Sequence, residues 1–107
     1  MTRVKIEAGI CGLNTKVEAE ADEDGGVTVK IYSACKSIQA MAGELGEEFD
    51  PYEICFQKPG LGPFYEYARE KTPPLHAACP VISGIIKCVE AECGLALKKN
   101  ASIEFID

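Results

Sequence analysis

The spacing of apolar residues changes once along this chain, close to residue 33, and that change restricts the fold more than any single motif. Upstream, apolar side chains recur at every second position. Val4, Ile6 and Ala8 alternate with Arg3, Lys5 and Glu7, and Thr15, Val17, Ala19 and Ala21 alternate with Lys16, Glu18 and Glu20. Val27, Val29 and Ile31 form a third series, with Thr28, Lys30 and Tyr32 between them. A period of two describes a strand with one face buried and the other solvated. Gly9 and Gly12 bracket the first connection. Asp22-Glu23-Asp24-Gly25-Gly26 makes the second a hairpin, because consecutive glycines supply the positive φ that such turns need. These segments predict an antiparallel meander.

Downstream the spacing becomes helical. Ile38, Met41, Ala42 and Leu45 share one face, with Ser33 as the expected N-cap and Gly46 as the stop. Asp50-Pro51 opens a short helix through Tyr52, Ile54 and Cys55, which Lys58-Pro59-Gly60-Leu61-Gly62-Pro63 ends. A further helix carries Phe64, Tyr67 and Ala68 as far as Thr72-Pro73-Pro74. From Pro80, residues Val81, Ile82, Ile85, Ile86, Val89 and Cys93 make a wide apolar stripe closed by Gly94. Ile103 and Phe105 then alternate with Ser102 and Glu104, predicting a last strand that rejoins the sheet. Strands followed by helices predict one α+β domain over residues 1–107, with an antiparallel sheet of three to four strands and helices packed on one face.

Composition narrows the function. The formal net charge is −6, and only Lys98 and Lys99 stand together among the eleven basic residues. That argues against nucleic acid, whose phosphates need clustered Lys and Arg. No segment reaches the apolar length of a membrane span, and the charged start, Met1 to Glu7, is unlike a signal peptide. A cytoplasmic location is therefore expected, where thiols stay reduced and six cysteines point to metal binding, redox chemistry or burial.

Position along the elements divides the six. Cys88 lies nine residues after Cys79 and points to nearly the opposite side of the helix. Cys93 shares no good face with Cys88, and Cys55 is flanked by Ile54 and Phe56. These three read as core thiols. Cys11, Cys35 and Cys79 sit at element ends instead, in Gly9-Ile10-Cys11-Gly12, Tyr32-Ser33-Ala34-Cys35 and Pro73-Pro74-Leu75-His76-Ala77-Ala78-Cys79-Pro80. A helix start offers unpaired N–H groups and the positive end of the dipole, which favour a thiolate. His76 and Cys79 are spaced to share one metal if the residues between them turn. Three thiolates and an imidazole suit zinc or an iron–sulfur cluster, whereas the long intervals match no compact zinc motif.

The order of these features resembles the iron–sulfur cluster assembly scaffolds of the NifU/IscU type. Cys11-Gly12 resembles their Cys-Gly turn, Asp22 to Gly26 their hairpin, and Tyr32-Ser33-Ala34-Cys35 their strand-to-helix cysteine motif. Pro73-Pro74 resembles the segment before their third cysteine, and a long apolar helix follows. The resemblance implies a NifU/IscU-like fold, with Cys11, Cys35 and Cys79 holding a [2Fe–2S] cluster or zinc. It also implies partners such as a cysteine desulfurase or acceptor proteins. Leu13 and Ala78 stand where those scaffolds carry Asp and His, and their N-terminal helix has no counterpart.

Two other functions fit the residues. One is thiol redox chemistry, with Cys79 or Cys35 as a low-pKa nucleophile. The other is an interaction domain that presents Phe64, Tyr65 and Tyr67. Asp22-Glu23-Asp24 and Glu47-Glu48 read as solvated loop charges.

Overall fold

The computed structural model describes residues 1–71 and 75–107. Thr72, Pro73 and Pro74 lie outside them, and with them the expected helix stop and the Pro-Pro approach to Cys79. The three alternating segments form strands β1 (Thr2–Ile6), β2 (Thr15–Ala21) and β3 (Val27–Ser33). They pair antiparallel, so that Val4, Val17 and Ile31 lie side by side, as do Ile6, Thr15 and Ser33. At the hairpin, Asp22 Oδ1 accepts from the amides of Asp24 and Gly26, at 2.8 and 2.9 Å, and closes the turn from within.

Helix α1 (Lys36–Leu45) follows, capped by Cys35 and not by Ser33. Ser33 is still in β3, and its Oγ accepts from the Cys35 amide at 3.1 Å, so the turn closes two residues later than expected. A two-residue strand, β4 (Glu48–Phe49), then pairs with Val27 and Thr28 to complete the order β1-β2-β3-β4. Helix α2 (Pro51–Cys55) starts as expected, Asp50 Oδ1 accepting from the Tyr52 amide at 2.9 Å. Helices α3 (Pro63–Glu70) and α4 (Val81–Glu92) complete the domain.

The fourth strand is therefore not the expected one. Residues 95–107 form no strand, and Ile103 and Phe105 are 93% and 95% exposed. Glu48–Phe49 takes the edge beside β3 instead, although Glu47-Glu48 reads as loop. Two residues are too short for an alternation to register, and alternation alone cannot tell a paired strand from an unpaired one.

All helices cover one face of the sheet. Val17, Ala19, Val27 and Val29 are buried against Ile38 and Met41 of α1 and Val81, Ile85, Cys88 and Val89 of α4. Arg3, Lys5, Lys16, Glu20, Lys30 and Tyr32 are exposed on the other face. Each fully buried aliphatic side chain contributes about 1.5–3 kcal/mol, so α4 anchors the domain.

A close approach sets the direction of α4. A Cβ on Gly84 would fall 2.3 Å from Ile6 Cδ1, so any larger residue would push the Ile6 side chain aside or the helix away from β1. Eight residues on, Glu92 Oε1 accepts from Thr2 Oγ1 at 2.7 Å and Oε2 from the Ala21 amide at 3.0 Å. The start of α4 thus lies at the Ile6 end of the sheet and its finish at the Thr2 end. No helix among the described residues is long and apolar enough to cross a membrane.

Candidate functional site

The register and the direction of α4 bring three connections to one end of the sheet. The loop carrying Cys11 joins Ile6 to Thr15, and Cys35 follows Ser33, which is paired to Thr15. Cys79 precedes α4, whose first turns lie over Ile6. Cys11 is exposed on a turn closed by the Gly12 amide bonding to the Gly9 carbonyl at 3.0 Å. Gly9 and Gly12 there have φ of 95° and 70°, which side-chain-bearing residues rarely adopt.

Cys35 is half-buried and more firmly held. The Ala34 amide donates to the Asn14 carbonyl at 3.2 Å, joining the exit of β3 to the loop that carries Cys11. Thr15 Oγ1 and Ser33 Oγ share a hydrogen bond of 2.7 Å, and Gln39 Nε2 bonds to the Ser33 carbonyl at 2.7 Å.

Cys79 is half-buried and its amide bonds to the His76 carbonyl at 3.0 Å, the turn that a shared His76–Cys79 role requires. Both residues line a cleft of about 260 Å³ between α3 and the start of α4, with Tyr65, Arg69 and Leu75. Arg69 is not singled out by sequence, and Tyr65 reads there only as part of an exposed aromatic patch. Their spacing of four puts them on one face of α3, yet nothing in it reveals that this face adjoins residues 75–79. Arg69 Nη1 also donates to the Gly60 carbonyl at 3.0 Å.

Cys55 and Cys93 are half-buried against the core, as Cys35 and Cys79 are, and Cys88 differs from all of them. Cys88 is fully buried, and its Sγ donates to the carbonyls of Thr2 at 3.3 Å and Val17 at 3.7 Å. Burial pushes its pKa up to about 11. Burial likewise pushes Cys55 up to about 11, helped by the charges of Glu90 and Cys93. Cys93 is raised by burial and then by Glu92 and Asp22. All three are held as thiols, and a protonated thiol is neither a good ligand nor a nucleophile.

Donor type at the open end suits zinc or iron, being sulfur with one nearby imidazole. The donors are not gathered, however. Among the described residues, no group of three or more His, Cys, Asp or Glu side chains surrounds a common centre. Cys11, Cys35, Cys79 and His76 share one end of the fold, and of these His76 and Cys79 line the cleft beside α3. The aromatic run is not an exposed patch either. Phe64 is 2% exposed and stacks on Phe49 at 5.0 Å, and Tyr65 and Tyr67 pack partly against the core.

Fold and site together define a small α+β protein whose four-stranded antiparallel sheet carries three element-end cysteines at one edge of its core. The chain belongs to a family of unknown function (DUF6951), whose model matches residues 2–105. No curated protein and no solved structure matches it.

Proposed function

We propose that this protein binds a thiophilic cargo, a [2Fe–2S] cluster or a zinc ion, through Cys11, Cys35 and Cys79, as a divergent scaffold of the NifU/IscU type. The supporting observation is the partition of the six cysteines. Three stand at the ends of elements on one side of the sheet, and three are held protonated elsewhere. His76 is the candidate fourth donor, since it lines the cleft of Cys79. Metal–sulfur bonds are about 2.3 Å long, so binding one ion requires the Cys11 turn and the segment before α4 to close on it. This reading implies a reducing compartment, the cytoplasm, and partners that supply sulfur or accept the cluster.

Anaerobic reconstitution with iron and sulfide, or with zinc, tests the proposal by visible absorption and metal analysis. Bound metal that is lost in Cys11→Ser, Cys35→Ser and Cys79→Ser, and kept in Cys55→Ser and Cys93→Ser, is the expected result. Protein that stays colourless and metal-free overturns it.

A second reading is favoured by the cleft alone. Cys79 there faces the same space as His76, Arg69 and Tyr65, a setting for thiol chemistry without metal. Alkylation of Cys79 that is much faster than that of Cys11, in metal-free protein, would support it.

A further inference from the structure

The residues after α4 carry more apolar surface than an unpartnered tail needs. Leu97, Ile103, Phe105 and Ile106 are 93%, 93%, 95% and 96% exposed. The family match runs to residue 105, so this tail belongs to the matched unit and is not an appendage to it. Strand β1 meanwhile stands at the edge of the sheet, paired only with β2 among the described residues. An open edge next to an unpaired strand sequence is a template for strand addition.

We infer that residues 101–106 add as a further strand to β1 of a second copy, so that two chains exchange tails in a symmetric dimer. Residues 101–105 match β1 on both faces, and Ile106 falls beyond the match on the solvent face. Thr2, Val4 and Ile6 of β1 point toward the core, with Val4 only half-covered, and Ile103 and Phe105 would extend that row. On the solvent face Arg3 and Lys5 are exposed, and Lys5 lies opposite Lys16, a like-charged cross-strand pair only partly offset by Glu7, 3.7 Å from Lys5 Nζ, and Glu18, 3.8 Å from Lys16 Nζ. Glu104 would stand on the other side of Arg3 or Lys5 and add a further opposite charge to that face.

Direction favours a second copy over the chain's own β1. Helix α4 runs from the Ile6 end to the Thr2 end, so a tail returning directly along its own β1 would run parallel to it. Every pairing in this sheet is antiparallel, and a tail from a second copy can enter in that direction. Exchange about a two-fold axis also closes the assembly, leaving no tail unpaired.

Sedimentation velocity of the reduced full chain, treated with chelator so that bound metal plays no part, tests this independently of cargo binding. A dimer is expected, shifting to monomer in the chain ending at residue 100 and in Phe105→Asp. Lys5→Glu should weaken the dimer, and Glu104→Lys in the same chain should restore it. Circular dichroism distinguishes loss of the dimer from loss of the fold. The inference is overturned if the full chain is monomeric at every concentration or if the shortened chain still dimerises. It is also overturned if hydrogen exchange shows the tail protected in a monomer, which would mean that it folds on its own β1.

Discussion

At the Thr2 end of the sheet, one carboxylate ties three elements together. Glu92, at the close of α4, accepts from Thr2 of β1 and from Ala21 at the end of β2, with the Met1 amino group 3.7 Å away. At the Ile6 end, the connections are held mainly by backbone turns and by the Thr15–Ser33 hydroxyl pair. The thiols follow the same division. Cys93, raised in pKa by burial and by Glu92 and Asp22, belongs to the first end, and Cys11, Cys35 and Cys79 to the second. The hydrogen-bonded end keeps Cys93 protonated, by burial first and then by Glu92 and Asp22, and ties β1, β2 and α4 together. At the end built from glycine turns and helix starts, Cys11 is exposed and Cys35 and Cys79 are half-buried. Stability is thereby assigned to one end of the sheet and the proposed binding to the other.

The largest effect expected of this division is felt where the ends meet. Ile85→Ala, at a fully buried position of α4, should cost about 2–5 kcal/mol in denaturant unfolding and weaken both ends together. A selective loss at one end, seen by hydrogen exchange, would show that the two do not share a core.

Glu92→Gln comes next, at about 1–3 kcal/mol near neutral pH, because hydrogen bonds to a charged acceptor are exchanged for weaker ones. Burial alone would raise the Glu92 pKa, but the Ala21 amide, Thr2 Oγ1 and the Met1 amino group outweigh it and lower the value. A carboxyl lowered on folding stabilises fully above its ordinary pKa of 4.5, and the gain is lost as pH falls through the lowered value. The acid limb of thermal stability should therefore be less steep in Glu92→Gln than in the parent.

Cys88 supplies the opposite slope. Its pKa rises from 9.0 to about 11 on folding, so its contribution holds below pH 9 and is lost as pH rises toward 11. Cys88→Ala should lower stability at neutral pH but reduce the alkaline decline, as unfolding against pH would show. Smallest of all, Cys11→Ser should leave stability within about 0.5 kcal/mol, since the side chain is exposed on a turn. A large loss there would contradict the assignment of stability to the other end.

Sequence periodicity predicts the meander and the helices because each element has one buried face, and a buried face leaves a period. Val17, Ala19, Val27 and Val29 sit where that period puts them. The last strand fails for the same reason: Ile103 and Phe105 carry the pattern of a paired strand, yet both are exposed and have no strand partner among the described residues. Strand β4 is invisible because Phe49 earns its place by stacking on Phe64 and by pairing with Val27, contacts that no local pattern records. Of the three cysteines that read as core thiols, Cys88 is fully buried and Cys55 and Cys93 only partly, because position on a helix face does not show how closely the next element covers it. What sequence lacks is distance: the cleft that joins Cys79 and His76 to Arg69 comes from how α3 meets α4.

Site-resolved alkylation with and without zinc tests the central claim most directly. In metal-free, reduced protein the account predicts modification of Cys11, Cys35 and Cys79 well ahead of Cys55, Cys88 and Cys93, and zinc should protect the first three together. Protection of Cys55 and Cys93 instead, or no protection by zinc at any cysteine, would contradict it.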